Sequence, residues 1–177
     1  MGKKVIIVGG VAAGASAAAR LRRMDEEAEI IVFERGAYVS FANCGLPYYA
    51  GGVINNRNKL LLQTPQSLYR RFNIDVRVMS EVLRILPEQK TVEVRNIPED
   101  KVYSESYDFL VLCPGAAPII PDIEGVDKNN VFTLRNVPDG DVIKGYINSY
   151  KPTRAAVVGA GFIGLEIAEM LKLNGLD

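Results

Sequence analysis

The sequence predicts an α/β fold: a parallel sheet with an inserted antiparallel β-hairpin or meander, followed by a second strand–helix unit. Three observations carry this. First, an apolar run ending in glycines, "KKVIIVGG", precedes the alanine-rich "AAGASAAARLRRM" and a second apolar run, "AEIIVFE". Strand, helix and strand in about thirty residues make a βαβ unit, which builds parallel sheets. Second, "VLRILPEQKTVEVRN" reads as a hairpin turning around Pro87 to Lys90. Third, "RAAVVGAGFIGLEIAEMLKLNG" repeats the opening pattern near the C-terminal end.

Taken in order, the first buried strand is Val5 to Val8 and the second Ile30 to Phe33, with the alanine-rich helix between them. "SFANCGLPYY" opens a loop or a helix start. "TPQSLYRRFN" is helical, with Thr64 as cap and Pro65 at the first helical position. "IDVRVM" alternates as a strand does, and the hairpin follows. "YDFLVLCPGA" is expected to be another buried strand, ended by Pro114 and Gly115. From Pro114 to Pro152 the chain is richer in proline and asparagine, with one helix at about Asp139 to Ser149. The repeat then reads as a buried strand, glycines and an apolar helix, and a further strand is due where the sequence stops at Asp177. A βαβ unit cut after its helix leaves an apolar face with too little to pack on, so the chain is expected to be a fragment of a longer protein. The expected division is a first domain at 1–113, a crossover at 114–152 and the start of a second domain at 153–177.

Composition narrows the function classes. Apolar residues make up 48% and charged residues 24% of 177, ordinary values for a globular protein. Net charge is zero, which argues against nucleic acid or an anionic membrane as partner. No histidine is present, so the commonest metal ligand and general base are missing, and no metal site is expected. Two cysteines do not make a disulfide framework. The lysines, apolar run and small residues at the N-terminus superficially resemble a secretory leader, but the glycines there have a better use. No stretch is long and apolar enough to span a bilayer, and a cytoplasmic protein is expected.

That better use is dinucleotide binding. Gly9, Gly10 and Gly14 follow the first strand. The fingerprint wants a tight turn, close backbone approach to a pyrophosphate, and close helix–strand packing. Gly9 and Gly14 fit the first and third roles. Val11 stands at the middle position, with Gly10 beside it supplying flexibility. The helix N-terminus offers free N–H groups to phosphate. Glu34, at the end of the second strand, is placed to accept hydrogen bonds from a ribose diol. The second unit is cleaner, with Gly159, Gly161 and Gly164 followed by Glu166. Two such units suggest two dinucleotides, most simply a flavin reduced by a nicotinamide.

"VIIVGGVAAGASAAARLRR", "VSFANCGLPYY", "LVLCPGAAP" and "VVGAGFIGLEIAE" together resemble the pyridine nucleotide-disulfide oxidoreductase family. The nearest branch uses a single cysteine: coenzyme A-disulfide reductases, persulfide reductases carrying a rhodanese domain, NADH oxidases and peroxidases. The resemblance covers all 177 residues. It implies a Rossmann-like FAD domain, a nested NAD(P)H domain of which this chain holds only the start, and a homodimer built through a C-terminal domain. It places FAD contacts on Gly9, Gly10, Val11, Ala12, Ala13, Gly14, Glu34, Arg35, Ser40 and Asn43. Val82 is implied as a backbone contact, and Pro114, Gly115 and Ala116 form the "CPGA" turn with Cys113. NADH or NADPH falls on Gly159, Gly161, Phe162, Ile163, Gly164 and Glu166.

The same resemblance makes Cys44 the redox-active thiol. Nothing between Cys44 and Cys113 serves as a dithiol partner, and none is needed when the disulfide partner is a small molecule such as coenzyme A. A helix N-terminus after Cys44 is expected to favour its thiolate. Cys113 reads as a small apolar side chain at the end of a strand. Ser16, Arg20 and Arg23 recur at i, i+4 and i+7 and share one face of the first helix, with Arg22 off that face. The resemblance places coenzyme A phosphates there, with Ser40 and Asn43 near the pantetheine end and Arg70 or Arg71, here taken as Arg71, adding a contact. Tyr48, Tyr49 and Tyr69 read as packing residues. The alternatives are an NADH oxidase or peroxidase in which Cys44 cycles through sulfenic acid, and a non-catalytic flavin- or nucleotide-binding fragment.

Overall fold

The computed structural model describes residues 2–177. The chain divides into two compact units: one reaches Phe41 and resumes over Leu61–Gly115, and the other comprises Ala42–Leu60 and Ala116–Asp177.

The first unit is built on a four-stranded sheet. Its strands are β1 (Lys4–Val8), β2 (Glu29–Phe33), β3 (Asp75–Arg77) and β7 (Phe109–Leu112), in the order β3-β2-β1-β7, all parallel. Helix α1 (Ala12–Met24) joins β1 to β2, as the alanine-rich segment predicts. A three-stranded antiparallel meander, β4 (Ser80–Leu86), β5 (Thr91–Asn96) and β6 (Lys101–Ser106), is inserted before β7. Lys90 closes the β4–β5 turn at φ 49°, with the short 3-10 turn Pro87–Gln89 before it.

Strand periodicity explains why β1 and β2 are apolar at consecutive positions. Successive side chains point to opposite faces of a strand. Val5, Ile7, Ile30 and Val32 meet Ala18 of α1 and Ile74, while Ile6, Ile31 and Phe33 meet Val92 and Val94 of the meander. Both faces of the sheet are covered, so neither strand has a solvent side that would require polar residues. Lys4 and Arg77 both bind Glu105 of β6 and so tie the meander to the sheet.

In the second unit, the short α2 (Leu46–Ala50) packs against α4 (Val137–Tyr150) and α5 (Phe162–Leu173). The close approaches fall at glycines: a Cβ on Gly140 would lie 3.0 Å from a Tyr49 ring carbon, and one on Gly51 would lie 2.3 Å from the Met170 Cβ. Helix α3 (Pro65–Phe72), back in the first unit, begins as its sequence predicts. Thr64 and Ser67 form a reciprocal capping box with Pro65 in the first turn.

Two expectations are corrected. "YDFLVLCPGA" does form a strand, but β7 is an edge and is not buried: Phe109 is 58% and Leu112 56% exposed. "RAAVV" forms no strand, and Val158 is 89% exposed. Near it the Asp177 N–H donates to Thr153 O and the Ala155 N–H to Asp177 O, with no ladder beyond. The cause is shared. A strand's apolar residues are buried by neighbouring strands and covering helices, and among the described residues these two segments have too few of either. No helix among the described residues is long and apolar enough to cross a membrane.

Candidate functional site

In the first unit, β1 ends in a glycine turn whose geometry excludes side chains. Gly9 has φ 95°, and a Cβ there would lie 2.0 Å from Cys113 O. A Cβ on Gly14 would lie 1.7 Å from Gly9 O, so α1 seats directly on the turn. Helix α1 carries no side-chain cap at Val11 and no acidic residue in its first turn, where Ala12 and Ala13 are exposed. By contrast α3 and α4 each have a capping box. A helix that leaves its first N–H groups uncapped beside a glycine turn has donors for an anion.

Glu34, at the end of β2, faces this turn. Its Oε2 accepts the Gly10 N–H at 2.9 Å and its Oε1 the Gly36 N–H at 2.7 Å. An ionised carboxylate offers about four acceptor positions, so two remain for hydroxyl donors. Ser40 joins the same cluster: its N–H donates to Gly10 O at 2.9 Å, and its own carbonyl accepts the Leu62 N–H at 3.0 Å. Ser40 holds φ 46°, a left-handed conformation unfavourable for a residue with a Cβ. The sequence gives no signal of this strain. Gly9, Gly10, Gly14, Glu34 and Ser40 therefore come together as the sequence reading expects. The glycine turn with no room for a Cβ and the uncapped helix start fit the pyrophosphate of a dinucleotide, and the backbone-held carboxylate fits its ribose.

The other first-unit candidates are placed less tightly. Arg35 and Pro114 are exposed, and Gly115 has φ 70°. Val82 lies on β4 next to an irregularity in the β4–β5 register, its side chain against the meander core. Ser16, Arg20 and Arg23 are exposed on α1, and Arg71 is exposed on α3 with its guanidinium 5.3 Å from the Phe72 ring centre. Arg22 is different. Its guanidinium donates to the carbonyls of Asp25, Glu26, Ala28, Phe72 and Asn73. It locks the end of α1 to the end of α3, a role the sequence does not signal. Cys113 is half-buried against the α1-side core.

In the second unit, Cys44 sits in a 3-10 turn (Asn43–Gly45) that runs directly into α2. The thiol is free and exposed. Beside it, the Asn43 Oδ1 is buried and has no hydrogen-bond partner. A buried acceptor without a donor is costly unless a ligand or water completes it. A Cβ on Gly45 would lie 2.7 Å from the Leu60 Cδ2, so the turn rests closely on Leu60. Tyr49 is buried, as a packing residue should be, whereas Tyr69 is exposed.

The second glycine unit repeats the first. Gly159 has φ 107°, and a Cβ on Gly164 would lie 2.1 Å from Gly159 O. Helix α5 starts at Gly161 without a side-chain cap or an acid in its first turn, where Phe162 and Ile163 are exposed. Glu166 is half-buried.

Comparison with known proteins identifies the family. The family model described as pyridine nucleotide-disulphide oxidoreductase matches residues 3–177. A coenzyme A disulfide reductase of Staphylococcus epidermidis is 46% identical over 174 residues, covering 98% of this chain and 39% of the relative. The crystal structure of reduced Bacillus anthracis CoADR-RHD matches 100% of this chain and 32% of its own, at 55% identity and TM-score 0.97. An NAD-dependent persulfide reductase from A. fulgidus matches 98% of this chain and 32% of its own, at 37% identity and TM-score 0.92. The chain thus spans well under half the length of the relatives it matches. With two Cβ-excluding glycine turns, each feeding an uncapped helix, and a family match across nearly every residue, the chain belongs to the pyridine nucleotide-disulphide oxidoreductase family.

Proposed function

We propose that this chain carries the flavin and thiol parts of an FAD-dependent NAD(P)H:disulfide oxidoreductase that reduces coenzyme A disulfide or coenzyme A persulfide through Cys44. In this reading residues 1–113 hold FAD, 114–152 cross over, and 153–177 begin the NAD(P)H domain of a homodimer. The observation that carries it is an exposed, unpaired thiol next to a buried amide oxygen lacking a donor. The names of the relatives support the substrate class.

The residues divide the work. The Gly9–Gly14 turn and the first N–H groups of α1 hold the pyrophosphate of FAD, and Glu34 holds its ribose. The glycines Gly159, Gly161 and Gly164 do the same for the pyrophosphate of NADH or NADPH. FAD, when bound, supplies the two-electron relay from nicotinamide to sulfur. The Cys44 thiolate attacks one sulfur of a coenzyme A disulfide, forming a mixed disulfide and releasing one coenzyme A thiolate. Two electrons then cleave the mixed disulfide, returning the Cys44 thiolate and releasing the second thiolate. The Asn43 Oδ1 accepts a hydrogen bond from an amide of the pantetheine arm. The basic face of Ser16, Arg20 and Arg23, with Arg71, takes the phosphates.

Turnover of the full-length enzyme with coenzyme A disulfide, coenzyme A persulfide, peroxide and oxygen tests this reading. Coenzyme A acceptors are expected to be reduced at least tenfold faster than the others. Preference for peroxide or oxygen would replace the mixed disulfide with a sulfenic acid at Cys44. Flavin that no reductant and acceptor can cycle would leave a binding role only.

A further inference from the structure

Residues 42–60 form a closed loop around Cys44. The Ala42 N–H donates to Leu60 O at 2.8 Å across its base. One limb is α2, which carries Tyr49, and the returning limb contains the 3-10 turn Arg57–Lys59. Asp141 of α4 holds both limbs. Its Oδ1 accepts the Tyr49 hydroxyl at 2.6 Å and its Oδ2 accepts from Arg57 Nη1 at 3.1 Å. One turn along α4, the Lys144 Nζ donates to Ile54 O at 3.0 Å and Asn55 O at 3.2 Å, and lies 4.3 Å from the centre of the Tyr49 ring. The start of α4 is itself fixed by a capping box at Asn136.

We propose that Asp141 is a positioning residue for Cys44: by joining the two limbs of its loop, it holds the thiol-bearing turn in one geometry. The loop otherwise has two 3-10 turns, five residues of helix and no extended ladder, too little regular structure to hold itself. Sulfur exchange needs near-linear alignment of three sulfurs, so a loosened turn lowers the fraction of encounters that react without lowering affinity for distant phosphates. The inference rests on Cys44 being the redox thiol.

The test uses the flavin-loaded full-length enzyme with Asp141→Ala, Asp141→Asn and Tyr49→Phe. Amide exchange in the peptide covering residues 42–60 is read by mass spectrometry beside steady-state kinetics with coenzyme A disulfide. For Asp141→Ala, exchange is expected to rise about tenfold and kcat to fall about tenfold, with KM changing less than twofold and flavin retained. Asp141→Asn keeps an acceptor for Tyr49 and is expected to recover part of kcat. If Asp141→Ala fails to fold, Tyr49→Phe removes one bond without stranding a charge and should show the same pattern at about threefold. Leu68→Ala, a core change in α3, supplies an enzyme of lowered stability that should keep its kcat. Unchanged kcat, or kcat lost together with flavin and KM, overturns the proposal. Should Cys44→Ser keep disulfide turnover, the redox reading fails instead, while the exchange result still reports whether Asp141 braces the loop.

Discussion

The Gly10 amide donates to the Glu34 carboxylate at 2.9 Å, joining the turn after β1 to the end of β2. Gly36 donates to the other oxygen at 2.7 Å, so the carboxylate is fixed by backbone on both sides. Glu34→Gln places an NH2 group against one of these N–H donors and removes the charge. Affinity for FAD is expected to fall about ten- to a hundredfold, measured by flavin fluorescence on titrating the apoenzyme. Unchanged affinity would show that Glu34 serves the turn and not a ribose.

Cys44→Ser in the full-length enzyme is expected to retain the flavin spectrum and lose disulfide reduction by at least a thousandfold, because serine has no sulfur with which to form the mixed disulfide. Cys113→Ser places a hydroxyl against the α1-side core and should lower thermal stability while leaving kcat within about twofold. Mass spectrometry of the oxidised enzyme should find coenzyme A on Cys44. An adduct on Cys113 with Cys44 bare would reverse the two roles.

Replacing Arg20 and Arg23 together by alanine is expected to raise KM for coenzyme A disulfide about tenfold or more, and to do little to a small disulfide without phosphates. Added salt should weaken substrate binding in the parent and less in the double variant. Equal losses for both substrates would make the face structural. Arg22 cannot serve as a silent control, since its guanidinium holds five carbonyls. Arg22→Ala should instead cost about 2–3 kcal/mol of stability, read from urea unfolding.

Glu105 gives the fold a pH dependence. Burial would raise its carboxyl, but hydrogen bonds and charge from Lys4 and Arg77 outweigh this and hold it below the ordinary 4.5. A carboxyl lowered in the folded state stabilises fully above its unfolded pKa, and that stability disappears as pH falls through the folded value. The urea midpoint should therefore decline as the pH drops below about 4.5. Glu105→Gln should lower stability by about 1–2 kcal/mol at neutral pH and flatten the acid decline. An unchanged decline in Glu105→Gln would assign it to other carboxylates.

How much was legible follows from where each signal resides. Gly9, Gly14 and Gly164 were readable because a seat on a carbonyl admits only glycine, and β1 and β2 because a sheet covered on both faces makes their consecutive central positions apolar. The hairpin was readable from its turn. The exposure of β7 and the missing strand at Ala155 to Val158 were not, because an apolar run records a capacity for pairing and not the presence of a neighbour. Arg22 and Asp141 were also illegible. Their partners are carbonyls and side chains far along the chain, and no local spacing records such bonds. For Cys44 the sequence supplied the motif. The burial of the Asn43 oxygen depends on how its turn packs, which no motif records.

Among the described residues no strand pairs with the outer side of β7, which has a colloidal consequence. Its unpaired N–H and C=O groups, flanked by the exposed Phe109 and Leu112, present a ready edge for another strand. At high concentration the polypeptide of residues 2–177 has in itself the means to oligomerise by strand addition, with the order of assembly set by whichever segment reaches that edge first. Zero net charge supplies little long-range repulsion to oppose such pairing.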